Sequence, residues 1–144
     1  MTLAGRRVLV TGGGTGVGAD LARGFAAAGA EVIVAGRRAA PLEAVAASAP
    51  RIHAVTADVT DEASVAALFA AAGRCDVVIA NAGAAESAPM GRVSLAQWNA
   101  MLAVNLTGVF LTFRAGLHQF DGWGRLIAVA STAGLKGYGY VAPY

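Results

Sequence analysis

Two groups of residues in this 144-residue chain have types and spacings that could do chemistry. The first is the run Thr11-Gly12-Gly13-Gly14-Thr15-Gly16-Val17-Gly18, between a short apolar stretch and an alanine-rich one. Gly12 permits a tight turn, Gly16 lets backbone approach a bound anion, and Gly18 lets a following helix pack closely. A pyrophosphate seated there, beside Thr15 and Val17, meets unpaired N–H groups and the positive end of a helix dipole. The second group is Ser131 and Tyr144, thirteen positions apart. A serine hydroxyl can orient a carbonyl, and a phenol can pass the proton that an alkoxide oxygen gains or loses. A free phenol has a pKa near about 10, too high for an efficient base at neutral pH, so Tyr144 needs help from its surroundings.

Such groups work only if elements hold them. Short apolar, β-branched runs at 7–10, 31–35, 52–56, 76–80 and 125–130 read as buried parallel strands. Alanine-rich segments at 16–28, 41–47, 61–72 and a long one at 94–119 have helical spacing. Pro41 suits a first helical turn, and Thr60 before Asp61 and Glu62 predicts a cap with acids behind it. This alternation predicts an α/β, Rossmann-type doubly wound parallel sheet of order 3-2-1-4-5, with a ligand crevice beyond strands one and four. The glycine run then opens on that crevice. At the end of the second strand, Val34-Ala35-Gly36-Arg37-Arg38 lacks the acid that would hydrogen-bond an unphosphorylated ribose. Arg37 offers a planar fork to a 2′-phosphate, which favours NADP(H) and leaves NAD(H) as the alternative. Arg38 could share that role, and both arginines also read as solvated positions before the next helix.

Three further motifs fall in the same order. Asp58-Val59 follows the third strand, Asn81-Ala82-Gly83 the fourth, and Val104-Asn105-Leu106 lies in the long helical segment, where asparagine is a mediocre helix former. With TGGGTGVG and the Ser131 to Tyr144 interval, they make the chain from Leu3 to Tyr144 resemble the first half or so of a short-chain dehydrogenase/reductase. The resemblance implies an oxidoreductase moving a hydride between NADP(H) and a carbonyl or alcohol substrate. It places the Asp58 carboxylate and Val59 backbone on adenine, Asn81 between the central strands, and Ala82 and Gly83 beside the cofactor ribose. It makes Asn105, Ser131 and Tyr144 the catalytic set, Asn105 holding a relay water and a lysine. The long helix, with Leu102, Leu106, Val109, Phe110, Phe113 and Leu117, would pair with a second copy in a homodimer or homotetramer. The family's lysine stands four positions past its tyrosine. Position 148 is not in this sequence, and Lys136, the sole lysine, lies eight positions before Tyr144. The expectation is one NADP-binding domain over 1–144, incomplete at its C-terminus and inactive alone. A module that binds NADP(H) without turnover is the other reading. A methyltransferase is disfavoured because Gly36-Arg37 offers no acid to a ribose.

Composition narrows the rest. The chain is 56% hydrophobic, so it can build a core. Its net charge of +2 comes from scattered arginines, which argues against nucleic acid and membrane surfaces as partners. The apolar stretches look too broken to approach the ~20 residues of a membrane span. The N-terminus does not read as a signal peptide, so a cytoplasmic location is expected. Cys75, His53 and His118 are isolated, which predicts neither a disulfide nor a metal site.

Overall fold

A computed structural model describes residues 2–144 of the chain. Five strands, β1 (Arg7–Thr11), β2 (Glu31–Gly36), β3 (Ile52–Thr56), β4 (Val77–Ala80) and β5 (Arg125–Ala128), form one parallel sheet in the order β3-β2-β1-β4-β5. Helices α1 (Gly16–Ala27) and α2 (Ala39–Ala46) cover one face. The other is covered by α3 (Glu62–Ala72) and by α5 (Gly108–Leu117), with α4 (Leu95–Leu102) leading into α5. The expected strand order and doubly wound class are those observed.

Both faces of a parallel sheet are buried, so its strands must be apolar at every position. Val8, Val10, Val32, Val34 and Ile79 pack with Ala19, Ala22, Leu42 and Val45, while Leu9, Ile33 and Val78 pack with Val65, Leu68, Phe69 and Leu111. The parallel register fixes this division, because Val8 stands opposite both Val32 and Val77 and side chains alternate along each strand. The two edge strands are the exceptions: β3 exposes His53, Ala54 and Thr56, and on β5 Ile127 is 41% exposed, with no strand among the described residues pairing beyond either.

Local signals set the element ends with two corrections. Asp61, not Thr60, caps α3: its side chain accepts the Ala63 N–H. Thr60 instead donates its hydroxyl to Asp58. The strand expected over 125–130 stops at Ala128. The long segment is helical but not uniform. Ser94 and Gln97 form a capping box at the start of α4, and Ala103–Thr107 is a π-turn that joins α4 to α5. The run Leu95–Leu117 is therefore one continuous helix, long and apolar enough by length and composition to cross a membrane, contrary to the expectation. Met101, Gly108, Leu111 and Gly116 along it are buried. Cys75 is wholly buried, and burial pushes its thiol up to about 11, which fits a packing residue. His53 shares Glu31 with Arg51 on the surface. Among the described residues no cluster of ligating side chains could hold a metal.

Candidate active site

A cavity of about 330 Å3 opens at the carboxyl ends of β1 and β4, where the winding of the sheet reverses. Gly12, Thr15, Val17 and Gly18 line it from the glycine loop, Arg37 from the end of β2, Asp58 and Val59 from beyond β3, and Asn81, Ala82 and Gly83 from beyond β4. Two of the glycines are there for space. A Cβ on Gly18 would stand 2.3 Å from the Gly12 carbonyl oxygen, and one on Gly12 would stand 2.8 Å from the Ala82 Cα, with φ of +65° besides. Gly16 has open space around it but a φ of +52°, and it is not among the residues facing the cavity. Helix α1 begins directly behind the loop with no acid in its first turn, so its dipole faces the cavity uncompensated.

Thr11 organises the seam between β1 and β4. Its hydroxyl, 1% exposed, accepts the N–H groups of Asn81 and Ala82 at 3.1 Å each and donates to the Ile79 carbonyl at 3.4 Å. Asn81 returns the contact, donating Nδ2 to the carbonyls of Thr11 and Gly12 at 3.0 and 3.3 Å. The motif asparagine thus bridges the central strands and holds the loop's first glycine. At the rim, Asp58 Oδ1 accepts the Thr60 N–H and hydroxyl at 2.9 and 2.8 Å. The Thr60 backbone donor first, then its hydroxyl and the nearby Arg37 guanidinium, hold the Asp58 carboxyl below the usual range. Arg38 also lines the cavity and occupies the cap position of α2 without a side-chain cap bond.

The other predicted residues are placed differently. Asn105 lies in the π-turn, where Oδ1 accepts the Ala84 N–H at 3.0 Å and Nδ2 donates to the Ala84 carbonyl at 2.8 Å. It clamps the chain just past Gly83. Ser131 follows β5 and caps a short turn at Thr132–Gly134, its Oγ accepting the Ala133 N–H at 3.2 Å. Tyr144 is 45% exposed, and among the described residues its phenol has no hydrogen-bond partner. Neither residue lines this cavity.

Residues 6–144 match the sequence profile of the short chain dehydrogenases. The chain belongs to that family. It is 43% identical to a probable oxidoreductase of Streptomyces lividans, covering 94% of this chain and 48% of that protein. It is 33% identical to the NADP-dependent (R)-specific alcohol dehydrogenase of Lentilactobacillus kefiri, over 94% of this chain and 57% of the relative. The structure of a 3-ketoacyl-(acyl-carrier-protein) reductase from Brucella melitensis, complexed with NADH, superposes with a TM-score of 0.95 at 32% identity. That match covers 99% of this chain and 64% of the other. The chain spans about half the length of the curated relatives it matches.

Two residues of this short chain dehydrogenase's crevice escaped the sequence reading. Thr11 looks like the last strand residue, and only its threonine among valines and leucine marks it. Gly13 looks like a spacer, yet a Cβ there would stand 2.7 Å from Val34 Cβ, while its N–H donates to Ala35 at 3.1 Å. No sequence signal separates Gly13 from Gly14, because the obstacle is contributed by another strand.

Proposed function

We propose that the chain is the nucleotide-binding and proton-handling portion of an NADP(H)-dependent dehydrogenase acting on a carbonyl or alcohol. The observation that carries this reading is the crevice itself, where the glycine loop, the α1 N-terminus and Arg37 converge on one cavity. The residues fit the cofactor. Gly12 and Gly18 let the loop turn tightly against the helix start, where a side chain would meet backbone, and the end of β2 carries arginines where a carboxylate would repel a 2′-phosphate. Thr60 occupies Asp58 Oδ1, and Oδ2 of the same carboxylate would receive an adenine amine. When bound, the nicotinamide supplies the hydride that the carbonyl carbon gains, or accepts it from the alcohol. Ser131 hydrogen-bonds the substrate oxygen, and the proton moves between that oxygen and the Tyr144 phenol. Asn105 serves by fixing the wall past Gly83.

A second reading, an NADP(H)-binding module without turnover, is favoured by one observation. Lys136, the sole lysine of the sequence, stands eight positions before Tyr144, with its ammonium 5.3 Å from the Tyr138 ring centroid. Calorimetric titration with NADPH and NADH, followed by a spectrophotometric assay of NADPH oxidation across ketones, aldehydes and 3-oxoacyl thioesters, separates the two. We expect negligible turnover from residues 1–144 alone and turnover from a protein that continues past Tyr144 with a lysine one helical turn on. General acid–base help is worth about 10² to 10⁴ in rate. Tight NADPH binding with no reduction by the longer protein would establish the module, and absence of NADPH binding would end both readings.

A further inference from the structure

Arginines that are scattered along the sequence are partly gathered by the fold. A second cavity, of about 320 Å3, opens at the amino ends of β1, β2 and β4, the end of the sheet away from the nucleotide crevice. Arg6, Arg7, Arg51 and Arg74 line it together with Glu31 and Asp76. Each guanidinium donates one hydrogen bond to the protein. Arg6 reaches Asp76 Oδ1 at 2.9 Å, Arg51 reaches Glu31 Oε1, Arg74 reaches the Asp121 carbonyl at 3.2 Å, and Arg7 reaches the Ala72 carbonyl at 3.1 Å. Trp123 supports Arg6 from the side, 4.6 Å from guanidinium carbon to ring centroid, and Gly73 leaves room for Arg7, whose Nη1 would stand 2.9 Å from a Cβ there. A guanidinium has five N–H donors, so most of the donors around the cavity are fixed in place and unused. Among the described residues Arg7 has no carboxylate within ion-pair distance of its side chain. Both lining carboxyls lie below the usual range and are ionised at neutral pH, and against four arginines they leave an excess of two positive charges. The rim does not cancel it: Asp121 faces Arg74 at 3.7 Å, while Arg125 shares the Trp123 ring with Arg6 and His53 shares Glu31 with Arg51.

We propose that this cavity binds a phosphoryl group, as free phosphate or on a small ester. A phosphate carries about −1.5 to −2 charges at pH 7 and three or more acceptor oxygens, which matches the excess charge and lets several guanidinium forks act at once. A monocarboxylate supplies one charge and two oxygens, and leaves part of the excess standing. Because protein bonds already hold the arginines, binding orders few side chains. The four come from three separate parts of the chain, so the site exists only in the folded protein, and phosphate stabilises that state by mass action.

Amide NMR titrations of the protein with inorganic phosphate, glucose 6-phosphate and sodium chloride, at matched low ionic strength, locate the site. Phosphate should shift the amides of Gly5, Arg6, Arg7, Arg74 and Asp76 and saturate at about 1 mM or below. Glucose 6-phosphate binding as tightly as phosphate means that the site reads the group on an ester, and binding of phosphate alone means a free anion. Arg7→Gln and the half-exposed Arg74→Gln, made separately so that a folding defect in one does not hide the result, should each weaken phosphate about tenfold, the scale of one charged hydrogen bond. Arg37→Ala, at the other end of the sheet, should leave phosphate affinity at this site unchanged. Shifts confined to the loop from Gly12 to Gly18, shifts that chloride reproduces, no saturation by about 10 mM, or an affinity unmoved by both Arg7→Gln and Arg74→Gln would overturn the proposal.

Discussion

Arg37 and Tyr140 show how much a single residue can decide in this chain. Arg37 faces the cavity and lies near enough to Asp58 to help hold its carboxyl below the usual range. If it receives a 2′-phosphate, Arg37→Ala should weaken NADPH by about 1.5 to 3 kcal/mol, the scale of a charged hydrogen bond, and leave NADH nearly unchanged. Calorimetry with both cofactors checks this, and equal losses would remove Arg37 from the phosphate site. Tyr140 presents the opposite case, a side chain in a backbone conformation that suits glycine. Its ring is largely exposed, so replacing it sacrifices little packing. Tyr140→Gly should relieve strain of roughly 1 kcal/mol or more, less the added chain entropy of glycine. Chemical denaturation should therefore show unchanged or slightly raised stability. A clear destabilisation would mean that the tyrosine ring holds its own backbone in place.

Elements in this fold are joined by a few polar residues at their ends. At the crevice end, Thr11 and Asn81 bind β1 to β4, and Asn105 binds the π-turn to the chain beyond β4. At the opposite end Asp76, just before β4, accepts the Arg7 N–H and the Arg6 guanidinium, both at 2.9 Å. Burial pushes the Asp76 carboxyl up, but those donors, with the charges of Arg6 and Arg74, outweigh it and leave it below the usual carboxylate value. A depressed folded pKa contributes stability that is present above the unfolded value of about 4 and is lost as pH falls through the folded one. Urea unfolding of the native chain and Asp76→Asn should therefore differ most near neutral pH and converge below about pH 3. A difference that stays constant with pH would show that Asp76 acts through shape and not charge.

At the scale of the whole molecule, the helical run from α4 to α5 leaves Leu106, Phe110 and Leu117 exposed at 64, 56 and 59%. Three large apolar side chains on one helix face exceed what a free surface usually tolerates, which supports pairing with a second copy. Light scattering of the full protein should give a dimer or tetramer, and Phe110→Glu should shift it toward monomer. A monomeric mass for the unaltered protein would remove this interface. The open flank at Ile127 belongs to the same scale, since β5 is a sheet edge whose outer side no strand among the described residues pairs.

The sequence by itself determined the strand order, both helical layers and the place of the crevice. Strands buried on both faces must be apolar throughout, and a glycine loop between strand and helix has few other uses. It also located the line of Gly12, Gly18, Arg37, Asp58 and Asn81 that the structure brings around one cavity. Only the tertiary structure decided what depends on residues distant in the chain. The Thr11 hydroxyl acquires its role from Asn81, seventy positions away, and Gly13 is forced by Val34. Asn105 is committed to Ala84 by a π-turn that no propensity scale encodes, since its extra residue is stabilised by the contact it makes. Asp61 displaced Thr60 as the α3 cap because Thr60 has Asp58 as a nearer partner. Tyr140 entered the left-handed region because Ala88, on another loop, holds its carbonyl. Except at Thr60, whose partner Asp58 is two positions away, a contact from a residue distant in the chain decided the outcome.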